Sequence, residues 1–475
     1  MERTNSGLVL LVVFVLFALY FVPFYPEGRT RFELTDWATT AALVETSSFD
    51  LSEVKKSSKI ELESVVNREG GIYSTKAPGL SLFSIPVYVV SKIFLGEPSP
   101  GNVKIYWNIH RLLLSALPLL MLGGWLYNRE VDSFSLAALL FVTPVFAYSL
   151  FLYSHVIAAL LAYMGFRLIY DYRRVTPETC FSAAFLLGVA VLCEYAVIVP
   201  SIVIGAGLLF TDSLERFRRM LFFASGLLPS LVLLVIQQYF VFGSPFAFVD
   251  FTSISYPSLE AIYTYSISPS AGLLFFSPLL IFGLFALSSP DSAGRNRFRV
   301  KILIILVTFL AVCGSAATFS GESAGPRYLI IIVPFLLDAF FDGEVEEYPS
   351  FWRGFLFSVS LVLTSVPLLS YPFAPTALSY PHNSFWIPLL TRFELYPATA
   401  AQFYGFAQDY WTAAPIGILL FAVLFFVWRD AKRRVPFGVG LAGGIAIVCA
   451  YLFAFSLESG EAAEYLQEVS GLFGR

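Results

Sequence analysis

The chain has 475 residues, of which 57% are hydrophobic, 17% aromatic and only 13% charged. Soluble globular domains run at about 45–50% apolar and about 25% charged residues, so this composition excludes a soluble protein and calls for one that crosses a bilayer many times. The small formal charge of -4 argues against a nucleic-acid partner.

The first apolar run, GLVLLVVFVLFALYFVPF, is longer than a signal-peptide core, and no small-x-small cleavage site follows it before YPEGRTRF. It is expected to stay as a first transmembrane helix within residues 1–24. Polar groups then resume at once, with Glu27, Arg29, Arg31, Glu33 and Asp36 inside ten residues. TDWATTAALV (35–44) reads as a short helix capped by Thr35 or Asp36. ELE at 61–63 would point its two acids to different helix faces, and no D-x-D motif occurs, so no metal site is expected.

The next apolar stretch, GLSLFSIPVYVVSKIFLG, poses the main topological question. Residues 80 to 95 as a helix would reach only about 24 Å, against a hydrocarbon core of about 30 Å. Pro86 would also leave a backbone group unsatisfied in lipid. Further apolar runs near 103–127, 133–150, 154–170, 179–193, 195–211, 217–242, 271–288, 301–318, 327–341, 351–371, 413–429 and 436–456 approach the ~20 residues that a span needs. With the first helix they make thirteen. The loops DYRRVTPE, TDSLERFRR, SSPDSAGRNRFRVK and RDAKRRVP hold 13 basic residues. The alternating loops 243–270, 319–327 and 371–412 hold 2, Arg327 and Arg392. The 13 lie inside if 80–95 does not span and the N-terminus is cytoplasmic; if 80–95 spans, only turning the whole protein over returns them there, and that puts the large first loop in the cytoplasm.

The expected organisation is therefore an all-α polytopic membrane protein. A first helix (1–24) is followed by an external loop with juxtamembrane helices (25–102). A transmembrane core (103–341) comes next, then a C-terminal transmembrane region (342–475) with an external loop at 371–412. No large domain faces the cytoplasm, so function is expected outside. Cys180, Cys193, Cys313 and Cys449 each sit in an apolar run without metal-ligand spacing and are expected to be free.

The chemistry-bearing residues are few. The acids after the first helix read either as a solvated interfacial turn or as a surface carboxylate able to take a proton from a hydroxyl. Neighbouring cations would keep such an acid ionised and hold an anion. Arg111 lies about two turns inside the second helix, where an arginine marks a functional site by default, although snorkelling is the alternative. Arg327 opens a later helix, and Lys76 precedes an Ala-Pro-Gly turn. His155 and Glu194 mark external helix junctions, where isolated polar residues are ordinarily solvated. His110 and His382 have no assigned role. Aromatic residues crowd FAFVDFTSISYP and SYPHNSFWIP, as sugar-stacking platforms or as an interfacial belt.

Taken together, the opening segment and IYSTKAPGLSLFSIPVY (72–88) resemble the GT-C membrane glycosyltransferases related to protein O-mannosyltransferases and lipid A aminoarabinose transferases. RFEL (31–34), ALVETSSFD (42–50) and the KAPGL element from Lys76 to Leu80 carry the resemblance. RLLLSAL (111–117), YSHVIAAL (153–160), EYAVIVP (194–200), QQYFVFGSPF (237–246), GLLFFSP (272–278) and SGESAGPRYLIIIVPF (320–335) follow in order. Residues after 350 match nothing in the family.

The resemblance implies a monosaccharide donor on a polyprenyl phosphate and transfer with inversion at the outer leaflet of a cell membrane, prokaryotic by expectation. The acceptor would be a protein hydroxyl, a glycolipid or a glycan. A first-loop carboxylate would be the base, Asp36 or Glu33 ahead of Glu27; the chain lacks the family's neighbouring acid pair directly before arginine and an aromatic residue. Lys76, Arg111 and Arg327 would hold the phosphate, with His155 and Glu194 as second-tier site residues. No cofactor is implied by these residues; some GT-C enzymes use a divalent cation, for which this sequence offers no ligand set. The alternatives are a lipid or solute transporter or flippase, and a non-catalytic assembly subunit.

Overall fold

A computed structural model describes residues 5–21, 31–58, 60–99, 101–171, 175–210, 215–245, 256–287, 295–315, 324–373, 378–393, 410–454 and 460–472. The fold is helical, with one two-stranded antiparallel hairpin among the described residues.

Helix α1 (Ser6–Tyr20) is apolar on all sides and leads towards the segment that carries the acids. Helix α2 (Arg31–Glu45) starts earlier than the sequence suggested. Thr35 and Asp36 lie inside it instead of capping it, because Leu34, Trp37, Ala38, Ala41 and Ala42 form a buried stripe that needs the whole length. After α3 (Ser52–Ser58), strands β1 (Val65–Arg68) and β2 (Gly71–Ser74) pair antiparallel. Their two-residue turn has positive φ at Glu69 (50°) and Gly70 (83°), the geometry that matches strand twist. The ELE stretch before β1 is not helical, so its expected helix-face argument does not apply.

Helix α4 (Gly79–Leu95) contains Pro86. It runs beside α2 in the same direction: Ser81 Oγ donates to the Asp36 carbonyl (3.1 Å), and Tyr88 OH and Lys92 Nζ donate to Glu45 (3.0 and 2.8 Å). Its first residue packs on the backbone of Leu192–Cys193. Its last carbonyl accepts from Asn102 Nδ2 (3.0 Å), one residue before α5 (Val103–Asn128). Both ends of α4 thus meet the same end of the bundle.

Four described helices combine the length and hydropathy of a span: α5, Arg216–Phe242, Ser350–Leu369 and Arg434–Phe453. Others are shorter, such as Ser154–Tyr170 and Pro177–Cys193. The apolar runs at 133–149, 273–286 and 327–341 are broken, near Pro144, Pro278 and Pro334. Their residues are largely buried in protein, where interrupted helices are tolerated.

The two ends of the bundle differ in charge. At one end Arg429 meets Ser6, Ser133 Oγ donates to Asp430 (2.7 Å), Arg129 pairs with Asp171 (2.7 Å), and Asn296 Nδ2 donates to the Gly207 carbonyl (3.2 Å). This end gathers the start of α1 and residues of the arginine-rich loops. At the opposite end Tyr20 OH donates to the Thr412 carbonyl (2.7 Å), and Arg68 donates to the Val241 carbonyl (3.3 Å). There α2, the hairpin and α4 collect.

Candidate active site

Helical spacing of three residues puts Glu33 and Asp36 on one side of α2, and each acid meets a different cation. Arg111 on α5 donates Nε (2.8 Å) and Nη2 (2.6 Å) to Glu33 Oε2. Glu33 Oε1 is buried beside the Leu152 backbone without a hydrogen bond of its own. Lys76, delivered by the turn between β2 and α4, pairs with Asp36 Oδ2. All four side chains are buried.

A third pair closes on these two. His155, in the first turn of helix Ser154–Tyr170, places Nδ1 2.6 Å from Oε2 of Glu194, which ends helix Pro177–Cys193. Ser154 Oγ donates to the same oxygen (3.1 Å). Next to Glu194, Tyr195 OH donates to the Lys76 carbonyl (3.4 Å) and accepts from Gln238 Nε2 (2.9 Å). A narrow crevice of about 10 Å³ reaches Lys76 between Thr39, Ser74, Ser81 and Gln237.

Arg327 completes the constellation. It is 6% exposed, and Nη2 donates to Tyr328 OH (2.8 Å). Its guanidinium lies 4.8 Å from the Tyr328 ring centre and 5.7 Å from that of Tyr153. The Tyr153 ring is parallel to His155, at 6.2 Å.

The electrostatics follow from this packing. Burial pushes the Glu33 carboxyl above the ordinary glutamate range, against the pull of Arg111 and Lys76. Burial likewise raises Asp36, against Lys76, with Glu194 adding to the rise. Burial would also raise Glu194, but His155, Ser154 and Lys76 together hold it below the ordinary value. Burial and the paired cations thus act in opposite senses on Glu33 and Asp36, in a setting where cations can hold an anion.

Seven of the eight residues expected from the sequence come together: Glu33, Asp36, Lys76, Arg111, His155, Glu194 and Arg327. Glu27 lies outside the described residues. His155 and Glu194 are not solvated helix ends but a close, largely buried pair, because the junctions they occupy are roofed by α2 and the Lys76 turn. His110 bonds the Tyr106 carbonyl (2.7 Å) and packs edge-on to Tyr88, a link between α4 and α5. His382 contacts the Leu363 carbonyl (3.0 Å) among Phe275, Phe276 and Trp386. Tyr153, Tyr195, Tyr328 and Gln238 were not anticipated, though each of the tyrosines adjoins a candidate or sits two residues from one. The three acids face cations or an imidazole, and no three His, Cys, Asp or Glu side chains among the described residues gather as a metal-holding group.

No protein-family model matches the chain, and no curated protein does. In fold it is similar to ArnT from Cupriavidus metallidurans. The apo crystal structure of ArnT aligns with a TM-score of 0.50 at 14% identity, covering 94% of this chain and 77% of that one. The crystal structure of the same protein bound to undecaprenyl phosphate gives 0.49 at 15% identity, with the same coverage. The chain thus has an ArnT-like GT-C membrane fold, the fold that its sequence elements resemble.

Proposed function

We propose that this protein transfers a monosaccharide from a polyprenyl-phosphate donor to an acceptor hydroxyl, with inversion at the anomeric carbon. The single observation that carries the reading is the pairing of buried Glu33 with Arg111 and of buried Asp36 with Lys76, at one end of a GT-C fold and beside Arg327. Sugar transfer from a phosphodiester needs a base and a cationic cradle, and little else, because the departing phosphate is already a stable anion.

Glu33 is the proposed base. Its Oε1 has no hydrogen bond, while Arg111 fixes the other oxygen, and its raised pKa brings it nearer to working pH. The acceptor O–H gives its proton to Glu33 as its oxygen bonds to the anomeric carbon. The bond from that carbon to the phosphate oxygen breaks on the opposite face, and the polyprenyl phosphate leaves with the electron pair. Lys76, Arg111 and Arg327 hold the phosphate and stabilise the charge that builds on it. Asp36 keeps Lys76 in place.

Orientation follows from charge. The site lies at the end of the bundle opposite the arginine-rich loops, which the positive-inside rule assigns to the cytoplasm. The site then faces the outer leaflet, with 25–102 as its external cover. A transporter would be expected to carry its ionisable groups near the membrane midplane; here they collect at the two ends.

The test is transfer of labelled sugar from a polyprenyl-phosphate donor into membranes that contain the protein. Glu33→Gln should lower the rate by about 10²–10⁴-fold, measured on the folded fraction because Arg111 loses its buried partner and the melting temperature falls with it. Full transfer by that variant would remove Glu33 as base, and transfer that is absent from the wild type would remove the reading.

A further inference from the structure

A phosphodiester brings one negative charge into a site whose own charges already cancel. Among the described residues, three carboxylates (Glu33, Asp36 and Glu194) face three cations (Lys76, Arg111 and Arg327). With a neutral imidazole at His155 the sum is zero. A buried site that gains an uncompensated anion pays a desolvation cost that a counter-charge removes. The one remaining group of a type that changes charge between about pH 5 and 8 is His155.

We propose that binding of the donor phosphodiester is coupled to uptake of one proton by His155, held against Glu194. This rests on the polyprenyl-phosphate reading above. The geometry favours this residue. One ring nitrogen lies 2.6 Å from Glu194 Oε2, so an imidazolium has a carboxylate in place. Neither nitrogen has a hydrogen-bond partner: Nδ1 lies close to the carboxylate without hydrogen-bond geometry, and Nε2 is buried with none. The charged or titratable groups around the ring are Glu194 from the end of helix Pro177–Cys193, Tyr328 from segment 327–332 and, through their charge, Asp36 from α2 and Lys76 beside Glu194, with Arg327 behind Tyr153 and Tyr328. Tyr153 stacks on the ring from the preceding residues. The fixed cations already have carboxylate or tyrosine partners, Glu33 stays ionised as the proposed base and Asp36 stays paired with Lys76, so the new anion leaves His155 as the place where charge can be added.

The experiment measures calorimetric binding of a short-chain prenyl phosphohexose to the full-length protein, across ~pH 6–8 in buffers of different ionisation enthalpy. The probe is a diester whose single charge does not titrate there, so any proton exchanged belongs to the protein. The wild type should take up close to one proton at the upper end of the range, and its apparent Kd should rise towards about tenfold per pH unit. His155→Gln should bind weakly, without uptake and without pH dependence. Glu194→Gln is the sharper variant, since it removes one negative charge. It should bind tightly, again without uptake.

Binding by the wild type without proton uptake overturns the proposal, as does uptake that survives in His155→Gln. Should that variant fail to fold, uptake retained by Glu194→Gln overturns it equally. If the wild type does not bind the diester at all, the polyprenyl-phosphate reading falls as well, whereas binding without uptake removes the proton coupling alone.

Discussion

Lys76 and Asp36 are buried together, and breaking such a pair from one side leaves an uncompensated charge. Lys76→Met should therefore cost about 3–5 kcal/mol of stability, seen as a lower melting temperature. Adding Asp36→Asn should restore much of that stability and none of the donor binding, which separates the structural role of the pair from its role in holding phosphate. Glu33 should set the acid limb of the rate profile. Its pKa is raised by burial, so the ionised base is lost as pH falls through a value above the ~4.3 of a free glutamate. An acid limb in the ordinary glutamate range would point to another group. The candidates themselves were legible because an ionisable residue beside an apolar run is costly and so conspicuous: Arg111, Lys76 and Arg327 all stood out this way. Which acid each cation meets was not legible. Glu33 and Arg111 are 78 residues apart, and only the packing of α2 on α5 pairs them. Tyr153 and Gln238 were hidden because aromatic and amide side chains are unremarkable near membrane helix ends.

At the scale of the element, α4 has the greatest leverage. A methyl at Gly79 would lie 2.5 Å from the Leu192 carbonyl carbon, where α4 meets helix Pro177–Cys193 close to Glu194. Gly79→Ala should push the two apart and cost about 1–3 kcal/mol, with donor binding falling alongside the melting temperature. Gly124→Ala, a helical glycine with open space at its Cβ, is the control and should be neutral or slightly stabilising. The reading of α4 as a helix that stays at one end rests on the alternation of basic loops along the whole chain, with its length and Pro86 in agreement. The β1–β2 hairpin went unseen because VVNREGGIYS is short and polar, with the strand signal of only a few residues. The breaks inside 133–149, 273–286 and 327–341 went unseen because hydropathy runs straight through them; each contains a proline whose cost is met by protein neighbours instead of lipid.

Across the whole molecule, the two ends carry different networks. Opposite the site, Asp338 accepts from Arg167 (2.7 Å), Arg297 (2.8 Å), Lys301 (3.0 Å) and Tyr163 (2.7 Å), and Asp342 and Asp171 join the same cations. These contacts tie together the far ends of helix Ser154–Tyr170 and segment 327–341, whose near ends carry His155 and Arg327. Asp338→Asn leaves three cations short of a partner and should cost about 3–5 kcal/mol, measured by thermal melting in detergent. Asp338 and Arg167 were both visible within apolar runs, but only the folded chain joins them. The central claim is that the paired acids and cations stand on the outer face, with α4 resting there without crossing. Glu97, just after α4, and Lys432, in an arginine-rich loop, are both exposed. The most direct test is labelling of Glu97→Cys and Lys432→Cys by a membrane-impermeant thiol reagent, in intact cells and in inverted vesicles. Glu97→Cys should react only in intact cells and Lys432→Cys only in inverted vesicles; labelling of Glu97→Cys from the cytoplasmic side would contradict the account.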